Sequence, residues 1–294
     1  MLSSRLTVFL FTRNEELRLA DTYENFRDLL PVVVIDNDSS DGTAVVAARL
    51  GLRVEQIANP GYIEDHEVMR QVQAACTTDY LVIASCAEVV PLALLRVYAR
   101  VAESGSHDVV RAPRLSITAG REIPVAMSMS VPYPGELRMF RKGAVDFTGT
   151  VVHQVGRPVV PAERVLTLPQ TRESAFFQFR DYDCSVTERN HCRYDDLLAR
   201  QRFEAGERFN LPRALVRSVG LFLRPYVRYG CWRFGMLGFI HCVYRGIMEL
   251  TVQFRIWEHQ HGFTIDRVRA ENLAVKRAML ADIRQEADAS GSGH

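Results

Sequence analysis

The chain has 294 residues, 47% hydrophobic and 24% charged, an ordinary globular composition long enough for one large domain and an appendage. A net charge of +1 argues against nucleic acid as a partner, and no run of about 18 uncharged apolar residues predicts a transmembrane helix. The six cysteines form no paired framework, which fits a reducing cytoplasm; Met1–Arg5 leads into a strand without a signal-peptide core, and Ala289–His294 reads as a flexible tail.

Leu6–Phe11 reads as the first strand, followed by the polar turn Thr12-Arg-Asn-Glu-Glu and an amphipathic helix over Leu17–Leu30. Val32–Ile35 are four β-branched residues in succession, the pattern of a parallel strand buried on both faces. It ends at Asp36, and a polar turn containing Gly42 leads to a helix from Thr43, with Ser39, Ser40 or Asp41 available as N-cap. Carboxylates and hydroxyls therefore stand at the carboxyl end of a central strand, where open α/β sheets bind ligands, and the helix N-terminus can meet a phosphate. Turn chemistry accounts for the same residue types, so a purely structural strand-to-helix turn is the other reading. A short strand at Arg53–Ile57, a turn from Asn59, a helix over Asp65–Cys76 and a buried strand from Asp79 to Ser85 come next. This alternation predicts βαβ units and a parallel sheet.

After Pro91 a helix over Leu92–Glu103 precedes short β elements at 108–114, 137–141 and 147–153, a mixed extension of the sheet. A loop rich in Pro, Arg and Thr spans 156–174, and from about Asp181 the chain reads helical almost to its end.

Thr12-Arg-Asn-Glu-Glu, then Val34-Ile-Asp-Asn-Asp-Ser-Ser-Asp-Gly-Thr43, resembles the N-terminal signature of family-2 inverting glycosyltransferases of GT-A fold. Asp79 to Pro91, Arg138-Met-Phe-Arg-Lys-Gly and Val151-Val-His-Gln154 are similar, in order, to segments of a narrower branch, the bacterial lipopolysaccharide-core β-glycosyltransferases. The resemblance implies an α/β, Rossmann-like GT-A domain with a mostly parallel sheet over residues 1–165, followed by a helical C-terminal region over 175–288 on the acceptor side. It implies a nucleotide-sugar donor, UDP-linked, held by Thr12, Arg13, Asn14, Glu16, Asp36, Asn37, Asp38, Arg70, Ser85, Ala87 and Arg138. Its catalytic candidates are His153, Asp146 and Glu88. In the family two carboxylates of an Asp-x-Asp motif hold Mg²⁺ or Mn²⁺ against the diphosphate, and a general base deprotonates the acceptor hydroxyl.

Here the sequence departs from the family: Ser85-Cys86-Ala87-Glu88 stands where Asp-Ala-Asp-Glu is expected, and His153-Gln154 where His-Glu is expected. A hard dication wants anionic oxygens, and the usual ligands are absent. Three readings stay open: a metal-independent enzyme in which Arg111, Arg114, Arg138 or Arg141 offsets the diphosphate, a weak metal site on Glu88 and His153, or a catalytically silent module that binds a glycan or partner. Glu64, Asp65 and Glu67 form an acidic cluster that could contact the donor sugar, though a helix N-terminus commonly carries such acids for its dipole. Cys184, His191 and Cys192 lack zinc-ligand spacing.

The helical tail carries a separate signal. From Leu211 to Ile256 there are seven arginines (213, 217, 224, 228, 233, 245, 255) against one acid, Glu249, with aromatic residues interleaved. That composition suits an in-plane membrane-surface segment, broken into short pieces by Pro212, Pro225 and the glycines at 220, 230, 235, 238 and 246. A helical subdomain packed on its own apolar face is the alternative. The combined expectation is a cytoplasmic transferase, peripheral on the inner face of the membrane, moving a sugar with inversion to a hydroxyl of a lipid-linked or lipopolysaccharide-like glycan.

Overall fold

The structure, a computed structural model, describes residues 1–60, 64–123, 135–149, 156–180 and 184–291. It divides into two units, Met1–Glu188 and Arg189–His294.

In the first unit, strands β1 (Leu6–Thr12), β2 (Val32–Asp36), β3 (Arg53–Gln56) and β4 (Tyr80–Ser85) are mutually parallel. Helices α1 (Leu19–Glu24), α2 (Thr43–Arg49) and α3 (His66–Ala75) make the crossovers. A dipeptide strand β5 (Glu88–Val89) and helix α4 (Leu92–Ser104) follow, then β6 (Val109–Ala112), β7 (Arg114–Thr118), β8 (Arg121–Ile123) and β9 (Glu136–Arg141). The hairpin β10 (Val145–Asp146) with β11 (Arg157–Pro158), and strands β12 (Val165–Thr167) and β13 (Phe176–Arg180), complete the unit. The main sheet runs β12-β6-β9-β4-β1-β2-β3, and a smaller one runs β5-β13-β7-β8.

Two apolar layers hold the main sheet. On one face Leu6, Val8, Leu10, Val34 and Val82 meet Leu19, Val46, Leu94 and Tyr98; on the other Phe9, Ile35, Leu81 and Ile83 meet Val68, Met69 and Val72 of α3. Both faces of β1, β2 and β4 are buried, as an unbroken β-branched run requires. Each such side chain contributes about 1.5–3 kcal/mol by leaving water. From β1 the chain moves outward to β2 and β3, then returns to place β4 on the other side of β1. The crevice between the carboxyl ends of β1 and β4 is thus the topological switch point, where open α/β sheets take ligands.

Three expectations change. The first helix is short, because the Asn25 side chain leaves it to pair with the Val90 backbone in both directions, donating at 2.9 Å and accepting at 2.7 Å. The stretch 156–174 is not all loop, since β12 pairs in parallel with β6. Nor does the helical region begin where the β elements seemed to stop: β13 pairs with β7 and β5 and belongs to the first unit. The expected strand 147–153 falls partly outside the described residues.

Helix α5 (Cys184–Glu204) carries the chain into the second unit, which holds α6 (Leu211–Leu223), α7 (Met236–His261) and α8 (Ile265–Gly291). Gly230 and Gly235, at φ +74° and +61°, do break the chain between α6 and α7. Gly220, Gly238 and Gly246 do not; they lie inside helices. A Cβ at Gly238 would stand 1.9 Å from the Cys231 carbonyl oxygen, and one at Gly246 3.1 Å from that of Ser218. These two glycines let backbones approach, and Ser218 Oγ donates to the Gly246 carbonyl at 2.8 Å.

Two buried acids sit on this bundle. Glu249 is paired with Arg202 at 3.0 Å and Arg217 at 3.3 Å. Asp195, 1% exposed, has no hydrogen-bond partner for either oxygen among the described residues. Burial pushes its carboxyl up to about 6, with Arg255 pulling down and Glu249 pushing up. An acid whose folded pKa lies above its ordinary 3.8 contributes stability that is complete below 3.8 and is lost as pH rises through about 6. Relative to Asp195→Asn, the wild type is expected to gain about 2–3 kcal/mol on acidification from neutrality to about pH 4. Thermal unfolding of both proteins across that range checks it; parallel pH profiles would contradict it.

Candidate functional site

Strand register places Thr12 beside Asp36 and Phe11 beside Ser85, so the loops after β1, β2 and β4 share one edge. The first two loops lock together. The Asn37 amide donates to the Thr12 carbonyl at 2.9 Å, and Thr12 Oγ1 donates to an Asp36 oxygen at 3.3 Å. The Asn14 amide donates to Ser39 Oγ at 2.9 Å, and the Ser40 amide returns a bond to Asn14 Oδ1 at 2.8 Å. Asn14 and Asp38 take φ +57° and +51°, the left-handed conformation that Asn and Asp tolerate best among residues with a side chain. Asn37 and Asn59 exchange two bonds, 2.7 and 2.6 Å, fixing the end of β3 as well. The result is a rigid polar rim with Thr12, Asp36 and Asn37 buried in it, and Arg13, Asn14, Glu16 and Asp38 exposed on it.

The helix after this rim cannot serve as the expected phosphate site. Its Gly42 and Thr43 amides already donate to Glu16 Oε2 at 3.0 Å and Asp41 Oδ1 at 3.0 Å. Burial pushes the Asp41 carboxyl up, but the bonds from Thr43 hold it below its usual range, so it stays anionic. Two carboxylates fill the position and repel a third anion. The N-cap is Gly42 rather than Ser39, Ser40 or Asp41, and it has no side-chain cap; Asp41, just before it, accepts the Thr43 amide.

At the end of β4, Glu88 is neither a free base nor a metal ligand. Its Oε1 accepts from Arg138 at 2.8 Å and its Oε2 from the Ser85 amide at 3.0 Å, and the residue is 4% exposed. Arg138 also donates to Glu136 at 2.6 Å, Arg114 pairs with the other Glu136 oxygen at 2.7 Å, and the Arg138 guanidinium lies 4.1 Å over the Phe176 ring. Burial works against the charge on Arg138, but Glu88 and Glu136 overcome it and raise its pKa. Arg138 is thus committed to the protein's own acids and does not reach a donor.

Nor do the residues of this turn fit Mg²⁺ or Mn²⁺. Both Glu88 oxygens are used, Ser85 and Ala87 offer no anionic oxygen, and burial pushes the Cys86 thiol up to about 12, keeping it neutral. His153 and Gln154 lie outside the described residues.

The other candidates scatter. Arg70 is exposed on α3 and bound to Glu67 at 2.6 Å. Ala87 gives its carbonyl to the Phe179 amide of β13. Asp146 accepts from the Thr148 amide at 2.8 Å and from Arg157 at 3.2 Å; the Thr148 bond leads in holding its carboxyl below the usual range, which makes it a poor proton acceptor. Arg141 pairs with Tyr80 at the start of β4, the edge opposite the site.

Two groups already named from the sequence, Arg111 and Glu64, stand on the site edge. Arg111, in the strand paired with the start of β9, donates to the Gly135 carbonyl at 3.3 Å and has no acidic partner among the described residues; burial lowers its pKa. Glu64, half-buried just before α3, has its carboxyl raised chiefly by burial and also by Glu136, with Arg138 opposing. It feels the charges of Arg138 and Glu136, with no hydrogen bond to an arginine among the described residues. The acidic run at 64–67 was its one trace in the sequence.

No family model and no curated protein matches the sequence. Among solved structures, the chain is similar to a mannosyltransferase (PcManGT) from Pyrobaculum calidifontis in complex with GDP-Man and Mn²⁺, at 15% identity over 94% of this chain and 80% of that one, TM-score 0.43. It is similar to S. aureus TarS 1–349 in complex with UDP-GlcNAc, at 13% identity over 88% and 92% of the two chains, TM-score 0.45. A shorter match, 39% of this chain and 44% of the other at 22% identity and TM-score 0.30, is to glucosyl-3-phosphoglycerate synthase from Mycobacterium tuberculosis with Mn²⁺, UDP-glucose and phosphoglyceric acid.

Proposed function

We propose that this chain is a GT-A, family-2-like glycosyltransferase of cell-envelope polysaccharide synthesis. It moves a sugar from a nucleoside diphosphate, a UDP-sugar, to a hydroxyl of a lipid-linked or lipopolysaccharide-like glycan, with inversion and without a metal. The observation that carries the reading is the interlocked rim of Thr12–Glu16 and Asp36–Thr43 beside the switch-point crevice, on residues that resemble the family's donor-binding signature. The exposed Asn14 and Asp38 side chains present an amide and a carboxylate to base and ribose. Glu64 takes the proton from the acceptor hydroxyl as its oxygen attacks the anomeric carbon; the bond to the diphosphate breaks and UDP leaves. Arg111 supplies the positive charge that the missing metal would give the diphosphate. This reading places the protein on the inner face of the cytoplasmic membrane, where soluble donors meet lipid-linked acceptors.

Arg111→Gln is expected to weaken UDP binding about tenfold to a hundredfold, the loss of one charge-assisted contact, with the unfolding midpoint unchanged. Equilibrium dialysis with labelled UDP measures it, and equal affinities would remove Arg111 from the site. One observation favours a second reading, a catalytically silent module. Glu88, the one carboxylate retained where Asp-Ala-Asp-Glu is expected, is spent on Arg138. A module without a pocket binds no nucleotide at all, which separates it from the transferase.

A further inference from the structure

We infer that the α6–α7 hairpin docks in the plane of an anionic lipid bilayer, through one apolar face shared by both helices. On α6, Leu215, Val219 and Leu223 follow at i+4 spacing and are 48%, 54% and 46% exposed. On α7, Met236, Ile247 and Phe254 are 69%, 47% and 50% exposed. At about 100° per residue each set forms one stripe, and each stripe stands on the same rotational side of the buried seam that joins the two helices. Because the helices pack antiparallel, the two stripes come out on one surface. An exposed apolar patch of this extent calls for a cover.

Charge selects the cover. From Arg208 to Met248 the sequence contains no acid, and Arg213, Arg224, Arg228 and Arg233 are exposed. Arg217 and Arg255, by contrast, are satisfied by Glu249 and Asp196. A second copy would bring the same arginines to the interface and be repelled, whereas lipid phosphates neutralise them. Trp232, at the connection between the helices and 52% exposed, lies under the Arg233 guanidinium at 5.3 Å, and Arg224 lies 5.8 Å from the Tyr229 ring. Aromatic rings beside arginines suit the boundary between acyl chains and headgroups. Among the described residues no helix is long and apolar enough to cross a membrane, so the hairpin lies in the interface. The inference sharpens the membrane placement proposed above, yet rests on the second unit alone; vesicle binding can fail while nucleotide binding holds.

Both tryptophans of the chain, Trp232 and Trp257, sit on this hairpin and are exposed, so intrinsic fluorescence reports on it directly. The full chain is titrated with phosphatidylcholine vesicles, with and without phosphatidylglycerol, followed by emission wavelength and co-sedimentation. The expected result is a blue shift and sedimentation with the anionic vesicles only, reversed by high salt. Val219→Glu and Leu223→Glu, at exposed positions that leave the packing intact, are expected to weaken binding about tenfold or more, while Ile283→Glu on α8 does not. Three outcomes overturn the inference: no binding to anionic vesicles, equal binding to neutral ones, or a dimer in light scattering that Val219→Glu dissociates.

Discussion

Arg138→Met is expected to lower the stability of the first unit by about 3–5 kcal/mol, read as a shift of the urea unfolding midpoint. The methionine fills much of the volume under Phe176, but Glu88 and Glu136 lose the cation that both contact. A buried carboxylate left without its partner costs far more than the pair contributes when intact. Arg70→Ala, which breaks an exposed pair, should cost about 0.5 kcal/mol or less and serves as the comparison. The deficit also carries a pH signature. Burial raises the pKa of Glu88 and Glu64, and removing Arg138 raises both further. Raised carboxyls recover stability as they protonate, so the Arg138→Met deficit should shrink as pH falls toward the ordinary carboxyl range. A deficit no larger than that of Arg70→Ala would mean that the network is solvated.

Glu64→Gln is expected to lower kcat by about 10²–10⁴-fold while leaving UDP affinity nearly unchanged. Glutamine keeps the shape and loses the proton acceptor. In the wild type the acid limb of the kcat/KM profile should lie above 4.5, the usual value for this carboxyl, because burial raises it. Activity requires the deprotonated form, so the rate rises with pH through that limb. A Glu64→Gln variant that keeps both rate and limb would return the role of base to His153.

The fold was legible where the pattern was local. Val32–Ile35 and Tyr80–Ser85 are uninterrupted apolar runs bounded by turns, and each became a central parallel strand. Phe176–Arg180 was missed because it is short and its partners, Leu115 and Val89, lie far back in the chain. The glycines of α7 were misread for a related reason. Composition marks Gly as a breaker, but only the neighbouring backbone shows that Gly238 and Gly246 admit a close approach. At the site, the rim residues Thr12, Asn14, Asp36 and Asn37 were read correctly as neighbours, since the loops that carry them follow adjacent parallel strands. The charge pairings around them were not legible. That Asp41 and Glu16 would occupy the helix amides, or that Arg138 would be spent on Glu88 fifty positions away, depends on three-dimensional charge pairing that spacing does not encode.

The central claim is that the switch-point crevice takes a nucleotide-sugar without a metal, and calorimetric titration of UDP and UDP-sugars into the purified chain tests it most directly. The titration is run in EDTA and repeated with Mn²⁺. The account predicts saturable binding in EDTA that Mn²⁺ does not tighten, lost in step with Arg111→Gln. Binding that appears only with Mn²⁺ would contradict the metal-free site, and no binding under either condition would contradict the transferase itself.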